Sequence, residues 1–244
     1  GKVIIKVAYS SINYKDALVS KGLNNIVREW PRISGIDLTG IVVESLDSRF
    51  SPGDEVLVNG CGIGVDHDGG HAEYARVNAD WVIKLPLGLT LIDAATIGVA
   101  GYTAALSLDL MELNGLNPQS GPILVTGATG GVATIAIDML AQRGYQVTAM
   151  TGKLNEAGYL KNLGASEVIG RISSESKFKP LEKAQWAGAI DSVGGSTLSW
   201  LTRVIQPSGV IAAFGNAGGA ELETTVIPFI LRGIRLIGIN ANSP

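Results

Sequence analysis

Thiol is almost absent from this chain, with Cys61 the single cysteine in 244 residues. One cysteine closes no internal disulfide and furnishes no multi-cysteine zinc site; it suits a reducing compartment, so a cytoplasmic protein is expected. Charge is also sparse: 17% of residues are charged, and 19 basic against 22 acidic side chains leave a net charge of −3. Such a balance offers no global basic field, so neither nucleic acid nor an anionic membrane is expected as a partner, and any anion site must be local. Apolar runs stop short of the ~20 residues that a membrane span needs. The longest candidate, Ala94 to Leu108, is interrupted by Gly98 and Gly101. Low hydrophobicity is missing too, since 46% of residues are hydrophobic, which excludes disorder and predicts a packed protein. No internal repeat is visible. The chain opens on Gly1 in the middle of a strand-like run, Lys2 to Ala8, without a targeting segment, and is expected to be a fragment.

Glycine, by contrast, is abundant, with 32 residues, about twice the usual share of roughly 7%, and implies tight turns and close backbone approaches. From residue 1 to about 98, short β-type runs alternate with turns: Val3 to Ala8, Gly40 to Glu44, Glu55 to Val58, Ala72 to Val77 and Trp81 to Lys84. This spacing predicts a small, mostly antiparallel β domain over 1–98. Helical periodicity takes over at Asp93 to Leu113. Residues 99–244 then alternate strands with helices, which predicts an α/β domain on a parallel sheet. Six strands are expected, at Ile123 to Thr126, Gln146 to Met150, Glu167 to Ile169, Gly188 to Asp191, Val210 to Phe214 and Arg235 to Ile239. That number makes a full doubly wound, Rossmann-type sheet. Helices are expected at Val132 to Arg143, Asn155 to Leu163 and Thr197 to Val204.

Directly after the first of those strands comes Gly127-Ala-Thr-Gly-Gly-Val132, and an apolar helix succeeds it. Glycines there let a pyrophosphate approach the backbone, and the helix N-terminus supplies free N–H groups to the anion. The run also resembles the Thr-Gly-x-x-x-Gly loop of short-chain dehydrogenases. That family is excluded because a whole β domain precedes the loop and no tyrosine is followed four positions later by lysine. An NAD site would carry a carboxylate about 20 residues past the loop, for the ribose 2′-hydroxyl. This chain has Thr151-Gly152-Lys153 there, with Arg171 beyond the next strand. Hydroxyl, ammonium and guanidinium suit a 2′-phosphate, so NADP is the expected cofactor.

The whole chain resembles the medium-chain dehydrogenase/reductases, a GroES-like β domain followed by a Rossmann domain. Ser10 to Asp16, Pro31 to Gly40, Gly98 to Thr103, Trp186 to Asp191 and Pro228 to Arg232 resemble the zinc-free quinone oxidoreductase branch, and within it the acryloyl-CoA reductase subfamily. Members of that subfamily extend beyond both ends of this sequence. The resemblance implies cofactor contacts from Tyr14, Thr129, Gly130, Gly131, Val132, Thr151, Gly152, Lys153, Arg171, Asn216, Ile230 and Ala241. Zinc relatives carry a cysteine where this chain begins Asn13-Tyr14-Lys15-Asp16, and Gly-His-Glu where it has Gly35-Ile36-Asp37. No metal is therefore expected. The cluster Asp66, His67, Asp68 and His71 brings ligand types together, but Gly69 and Gly70 make it a loop and not a fixed face.

The activity this resemblance implies is NADPH-dependent reduction of the C=C bond of an α,β-unsaturated carbonyl, with a short enoyl thioester such as acryloyl-CoA as substrate. Hydride addition drives charge to the carbonyl oxygen, and without zinc that oxygen needs a hydrogen-bond donor. Tyr14 is the first candidate and Asp37 the second catalytic residue, with Lys15 as a further orienter. A quinone or enone reductase and a non-catalytic NADP-binding redox sensor are the alternatives, since fold alone does not fix function. Oligomeric state stays open; edge-to-edge pairing of Arg235 to Ile239 across a two-fold axis would give a homodimer.

Overall fold

In a computed structural model of the chain, which describes residues 1–23, 25–172 and 179–242, two compact units divide the protein. The first runs Gly1–Tyr102 and takes in Ala241 and Asn242; the second is Thr103–Asn240. The break lies four residues past the position expected from sequence, and Ala241 groups with the β unit although sequence placed it in the Rossmann half.

The β unit is built from β1 (Lys2–Tyr9), α1 (Tyr14–Ser20), β2 (Asp37–Ser45), β3 (Glu55–Asn59), β4 (Tyr74–Asn78) and β5 (Ile83–Lys84). Its strands form one antiparallel sheet in the order β4-β1-β2-β3-β5. Alternate residues of β1, Val3 and Ile5, pack with Leu38, Val42, Val56, Val58, Ile63 and Val77 into its core, as a sheet with one buried face requires. The expected strand Trp81 to Lys84 is shorter than predicted, because Ala79–Trp81 form a 3-10 turn capped by the Asn78 side chain.

Helix α2 (Leu91–Leu113) leaves this unit and enters the next. It starts two residues before the expected Asp93 and is long and apolar enough to cross a membrane by length and composition. Yet Gly98 breaks it with φ 48°, ψ −157°, and Ala104, Leu108 and Met111 are buried in the core of the second unit.

In that unit the elements are β6 (Ile123–Thr126), α3 (Gly131–Gln142), β7 (Val147–Met150), α4 (Ala157–Asn162), β8 (Glu167–Ile169), β9 (Trp186–Asp191), α5 (Gly195–Val204), β10 (Ile205–Ala213), α6 (Ile227–Arg232) and β11 (Arg235–Gly238). All pairings are parallel, in the order β11-β10-β9-β6-β7-β8. This is the doubly wound sheet with its order reversing between β6 and β9, where ligands collect at the carboxyl ends of the strands. One apolar layer joins Ile137 and Leu140 of α3 to Val125 and Val147; the opposite layer joins Trp200, Leu201 and Val204 of α5 to Leu124 and Ile211.

Candidate active site

Two clusters of candidate residues emerge, one in each unit. In the β unit, Asn13 is the N-cap of α1, with extended backbone, and its amide donates to Oδ2 of Asp16 at 2.8 Å. Oδ1 of Asp16 accepts the Gly35 amide at 3.0 Å. That buried carboxylate thereby pins the start of α1 to the chain entering β2. Asp37, 1% exposed, fixes the residues just before the helix. Its Oδ1 accepts the Ser11 amide at 2.7 Å, while Oδ2 accepts the Ser11 hydroxyl, Asn13 Nδ2 at 3.1 Å and the Val99 amide at 3.3 Å. A carboxylate offers about four acceptor positions, so these donors fill it.

Tyr14 projects from this scaffold at 62% exposure. Burial lowers the Lys15 pKa from its ordinary value, opposed by the nearby carboxylates of Asp16 and Asp66. His71 closes the far side, with Nδ1 2.9 Å from Ser34 Oγ and Nε2 3.1 Å from the Ser11 carbonyl oxygen. His67 instead meets Trp81 with ring centroids 4.8 Å apart and planes tilted by 45°. Among the described residues, no group of three or more His, Cys, Asp or Glu converges as metal ligands. Ala241 lies against Gly60, whose φ is 70° and where a Cβ would come within 2.5 Å of the Ala241 carbonyl oxygen.

The second cluster gathers at the carboxyl ends of the parallel strands. Gly127 turns at φ 58°, and a Cβ there would stand 2.2 Å from Ser192 Oγ, so only glycine fits. Gly130 caps α3 and donates to the Gly127 carbonyl at 2.8 Å. The first-turn amides of α3, from Gly131 through Ala133, have no partner within the helix and carry its positive dipole end. Thr129 and Val132 flank this opening. Thr151, at the end of β7, is buried and accepts the Lys153 amide on Oγ1 at 3.0 Å. Beside it, the Arg171 guanidinium lies so close to Gly152 that a Cβ there would meet Nε at 2.7 Å and Cζ at 2.9 Å.

The loop after β9 is tied into the same edge. Asp191, fully buried, accepts Thr126 Oγ1 on Oδ1 at 2.6 Å and the Gly194 amide on Oδ2 at 2.8 Å. Burial pushes its pKa up, and the Thr126, Gly194 and Val193 donors hold it back. Gly218 in turn donates to the Val193 carbonyl at 2.7 Å, setting the exposed Asn216 loop against the β9 turn. Ile230 stands 70% exposed on α6. That short helix is anchored by Arg232, which donates to the Arg203, Ile205 and Glu182 carbonyls.

Residues 1–87 match the alcohol dehydrogenase GroES-like domain, and residues 131–244 match the zinc-binding dehydrogenase family. Acrylyl-CoA reductase AcuI of Ruegeria pomeroyi is 44% identical over 242 residues, spanning 99% of this chain and 73% of that protein. Bacillus subtilis YhfP, which carries the name of a quinone oxidoreductase, is 54% identical over 240 residues, 98% of this chain and 73% of its own length. Among solved structures, the yhdH oxidoreductase of Salmonella enterica in complex with NADP superposes with a TM-score of 0.95 at 47% identity, covering 99% of this chain and 74% of that one. YhfP with NAD bound gives 0.94 at 53%, with 99% and 74% covered.

This chain belongs to the medium-chain dehydrogenase/reductase superfamily.

Within this medium-chain reductase scaffold, Thr129 to Val132, Thr151 to Lys153, Arg171 and Asn216 all lie at the carboxyl edge of one sheet. Tyr14, Asp37 and Ala241 belong to the other unit. Asp37, expected as a second catalytic residue that orients the site, is buried and accepts four protein donors. Ser11, Thr126 and Asp191 were not singled out as site residues from sequence, and His71 was weighed only as a metal ligand. Only Asn13 carried a local signal, an N-cap residue with an acid three positions on.

Proposed function

We propose that this chain performs the NADPH-dependent reduction of the carbon–carbon double bond of an α,β-unsaturated carbonyl, with a short enoyl thioester such as acryloyl-CoA as substrate. The observation that carries the substrate class is the 44% identity across 99% of the chain to a protein named acrylyl-CoA reductase. Residues 1–98 are read as the catalytic domain and 99–244 as the NADP-binding domain, in a cytoplasmic homodimer paired through the β11 edge.

The cofactor reading rests on fit. The Gly127 turn leaves no room for a side chain, α3 opens its N-terminus beside it, and Arg171 lies over a glycine next to Lys153. Gly130, Gly131 and Val132 would hold the pyrophosphate, and Thr151, Lys153 and Arg171 the 2′-phosphate. Gly152 would make room for that clamp. Asn216, Ile230 and Ala241 would add backbone or apolar contacts. When bound, NADPH supplies the hydride. The Tyr14 hydroxyl donates a hydrogen bond to the substrate carbonyl oxygen, where charge develops. Asp37 acts as a positioning residue for the segment that carries Tyr14. No zinc is required for this polarisation, because the phenol takes the Lewis acid's place.

A quinone oxidoreductase is the second reading, favoured by YhfP at 54% identity. Both substrate classes are polarised in the same way. Turnover of acryloyl-CoA, crotonyl-CoA, simple enones and quinones by the full-length protein with NADPH decides between them. A kcat/KM at least about tenfold higher for acryloyl-CoA is expected, a difference of roughly 1.4 kcal/mol in transition-state binding; preference for quinones would favour the second reading. Tight NADPH binding without turnover of any acceptor would identify a sensor.

A further inference from the structure

The segment Ser10 to Asp16 is held by a closed ring of side-chain contacts within the β unit. Starting at Asp37, the ring passes through the Ser11 amide and hydroxyl to the Ser11 carbonyl, which faces His71 Nε2 at 3.1 Å. From His71 it continues through Nδ1 to Ser34 Oγ at 2.9 Å, and the His71 amide donates to the Ser34 carbonyl at 3.0 Å. The neighbouring Gly35 amide reaches Asp16 Oδ1 at 3.0 Å, Asp16 Oδ2 takes the Asn13 amide at 2.8 Å, and Asn13 Nδ2 returns to Asp37 at 3.1 Å. Tyr14 is the exposed aromatic residue inside this ring's span.

Two chemical constraints single out His71. A carbonyl oxygen only accepts, so the proton must sit on Nε2, and in the neutral ring Nδ1 then accepts from the Ser34 hydroxyl. The segment at Ser11 is consequently gripped from both sides, its N–H by Asp37 and its C=O by His71. The Ser11 carbonyl belongs to the next peptide unit, which these Asp37 contacts do not hold; His71 Nε2 faces it at 3.1 Å. Among the described residues, His71 belongs to no metal-ligand group and to no apolar core cluster, so neither accounts for its placement.

We propose that His71 is a positioning residue for the reaction, acting through the Ser11 carbonyl to fix the direction in which Tyr14 presents its hydroxyl. This rests on the reading of Tyr14 as the donor to the substrate carbonyl. The residue lies on the chain leading into β4, far in sequence from Tyr14, and reaches it through the ring. His71 is exposed, and directed contacts at both ring nitrogens orient it; a misplacement of about 1 Å in a donor is enough to lower a rate on the order of 10²-fold.

The test uses the full-length enzyme in four forms besides wild type: His71→Leu, His71→Gln, Tyr14→Phe and the double variant His71→Leu, Tyr14→Phe. Glutamine places an N–H donor where Nε2 stands, whereas leucine keeps bulk and removes both contacts. His71→Leu should slow single-turnover hydride transfer about 10- to 100-fold while NADPH affinity stays within about twofold. His71→Gln should recover most of the rate. In the Tyr14→Phe background, His71→Leu should cost less than about threefold, because the group it aims is gone. A loss of equal size in both backgrounds, or no loss in His71→Leu, overturns the proposal. Amide hydrogen exchange over residues 10–17 separates this from the Tyr14 reading. Should Tyr14→Phe itself leave the rate unchanged, the donor assignment fails, and unaltered exchange in His71→Leu would then overturn the ring as well, whereas faster exchange confined to 10–17 sustains it.

Discussion

Thr126 Oγ1 donates to Oδ1 of Asp191 at 2.6 Å, joining the ends of β6 and β9 across the point where the strand order of the parallel sheet reverses. The same hydroxyl oxygen accepts the Ser192 amide at 3.2 Å, and Ser192 Oγ donates back to the Thr126 carbonyl at 2.9 Å. Ser192 in turn fills the space beside Gly127 that a Cβ would need. One buried carboxylate thus sets both the β9 turn and the glycine loop on which the pyrophosphate is proposed to lie.

Burial raises the Asp191 pKa above that of an unfolded aspartate, about 3.9. The folded state therefore binds this proton more tightly, so the group's contribution to stability is fully present below the unfolded pKa and is lost as pH rises through the folded one. Asp191→Asn cannot titrate. Urea unfolding of both proteins from about pH 3 to pH 7 should show wild-type stability, relative to the variant, declining with rising pH and then levelling. A relative stability that climbs instead would mean that the three donors outweigh burial.

Cofactor choice should respond to Gly152 as well as to the charges beside it. A methyl group there meets Arg171 Nε at 2.7 Å, so Gly152→Ala pushes the guanidinium off the β7 turn without altering net charge. Fluorescence titration should show NADPH affinity falling relative to NADH. The double variant Lys153→Ala, Arg171→Ala should lose more, about 2 to 4 kcal/mol of NADPH preference, at roughly 1.5 to 3 for each hydrogen bond to a charged group with incomplete additivity. Unchanged preference in the double variant would remove the 2′-phosphate from this site.

Periodicity made the Rossmann half legible. The strand β6 runs as the apolar pattern predicts, because a fully buried parallel strand is a short continuous apolar run between turn residues; β8, an edge strand with Glu167 exposed, also keeps its expected bounds. By contrast β10 begins at Ile205, five residues before the expected start, since the turn-like Gln206 to Gly209 sits inside the strand with Ser208 at φ 64° and a register shift. Helix α1 escaped detection because it buries only Asp16 and Val19, too little for an apolar stripe. Asp37 was singled out, but its link to Ser11, Val99 and, through Ser11, His71 escaped for a different reason. These residues meet through contacts 26 to 62 positions apart in sequence, which no local pattern encodes.

Gly98 should tolerate no side chain. Its φ of 48° is left-handed, and a Cβ would stand 2.9 Å from Asp37 Oδ2 and 3.3 Å from Ser11 Oγ. The break lets Val99 direct its amide at Asp37, so the residue serves both the helix and the carboxylate's donor set. Gly98→Ala should destabilise the protein by about 1 to 3 kcal/mol from backbone strain alone. Denaturant titration checks this; a midpoint equal to that of wild type would mean that the kink relaxes without cost.

Tyr14→Phe is the variant that speaks most directly to chemistry. Tyr14 is exposed, so losing its hydroxyl removes no buried hydrogen bond and leaves the ring's packing intact. If the phenol donates to the developing enolate, kcat of the full-length enzyme should fall about 10²- to 10³-fold, the cost of one oxyanion donor, with NADPH affinity little changed. The loss should appear equally in kcat and kcat/KM, because the hydrogen bond strengthens as charge accumulates in the transition state and adds little to ground-state binding. Single-turnover hydride transfer, followed by the decay of NADPH absorbance, isolates that step from product release. An unchanged rate would assign Tyr14 to cofactor contact alone and leave the carbonyl oxygen to another donor.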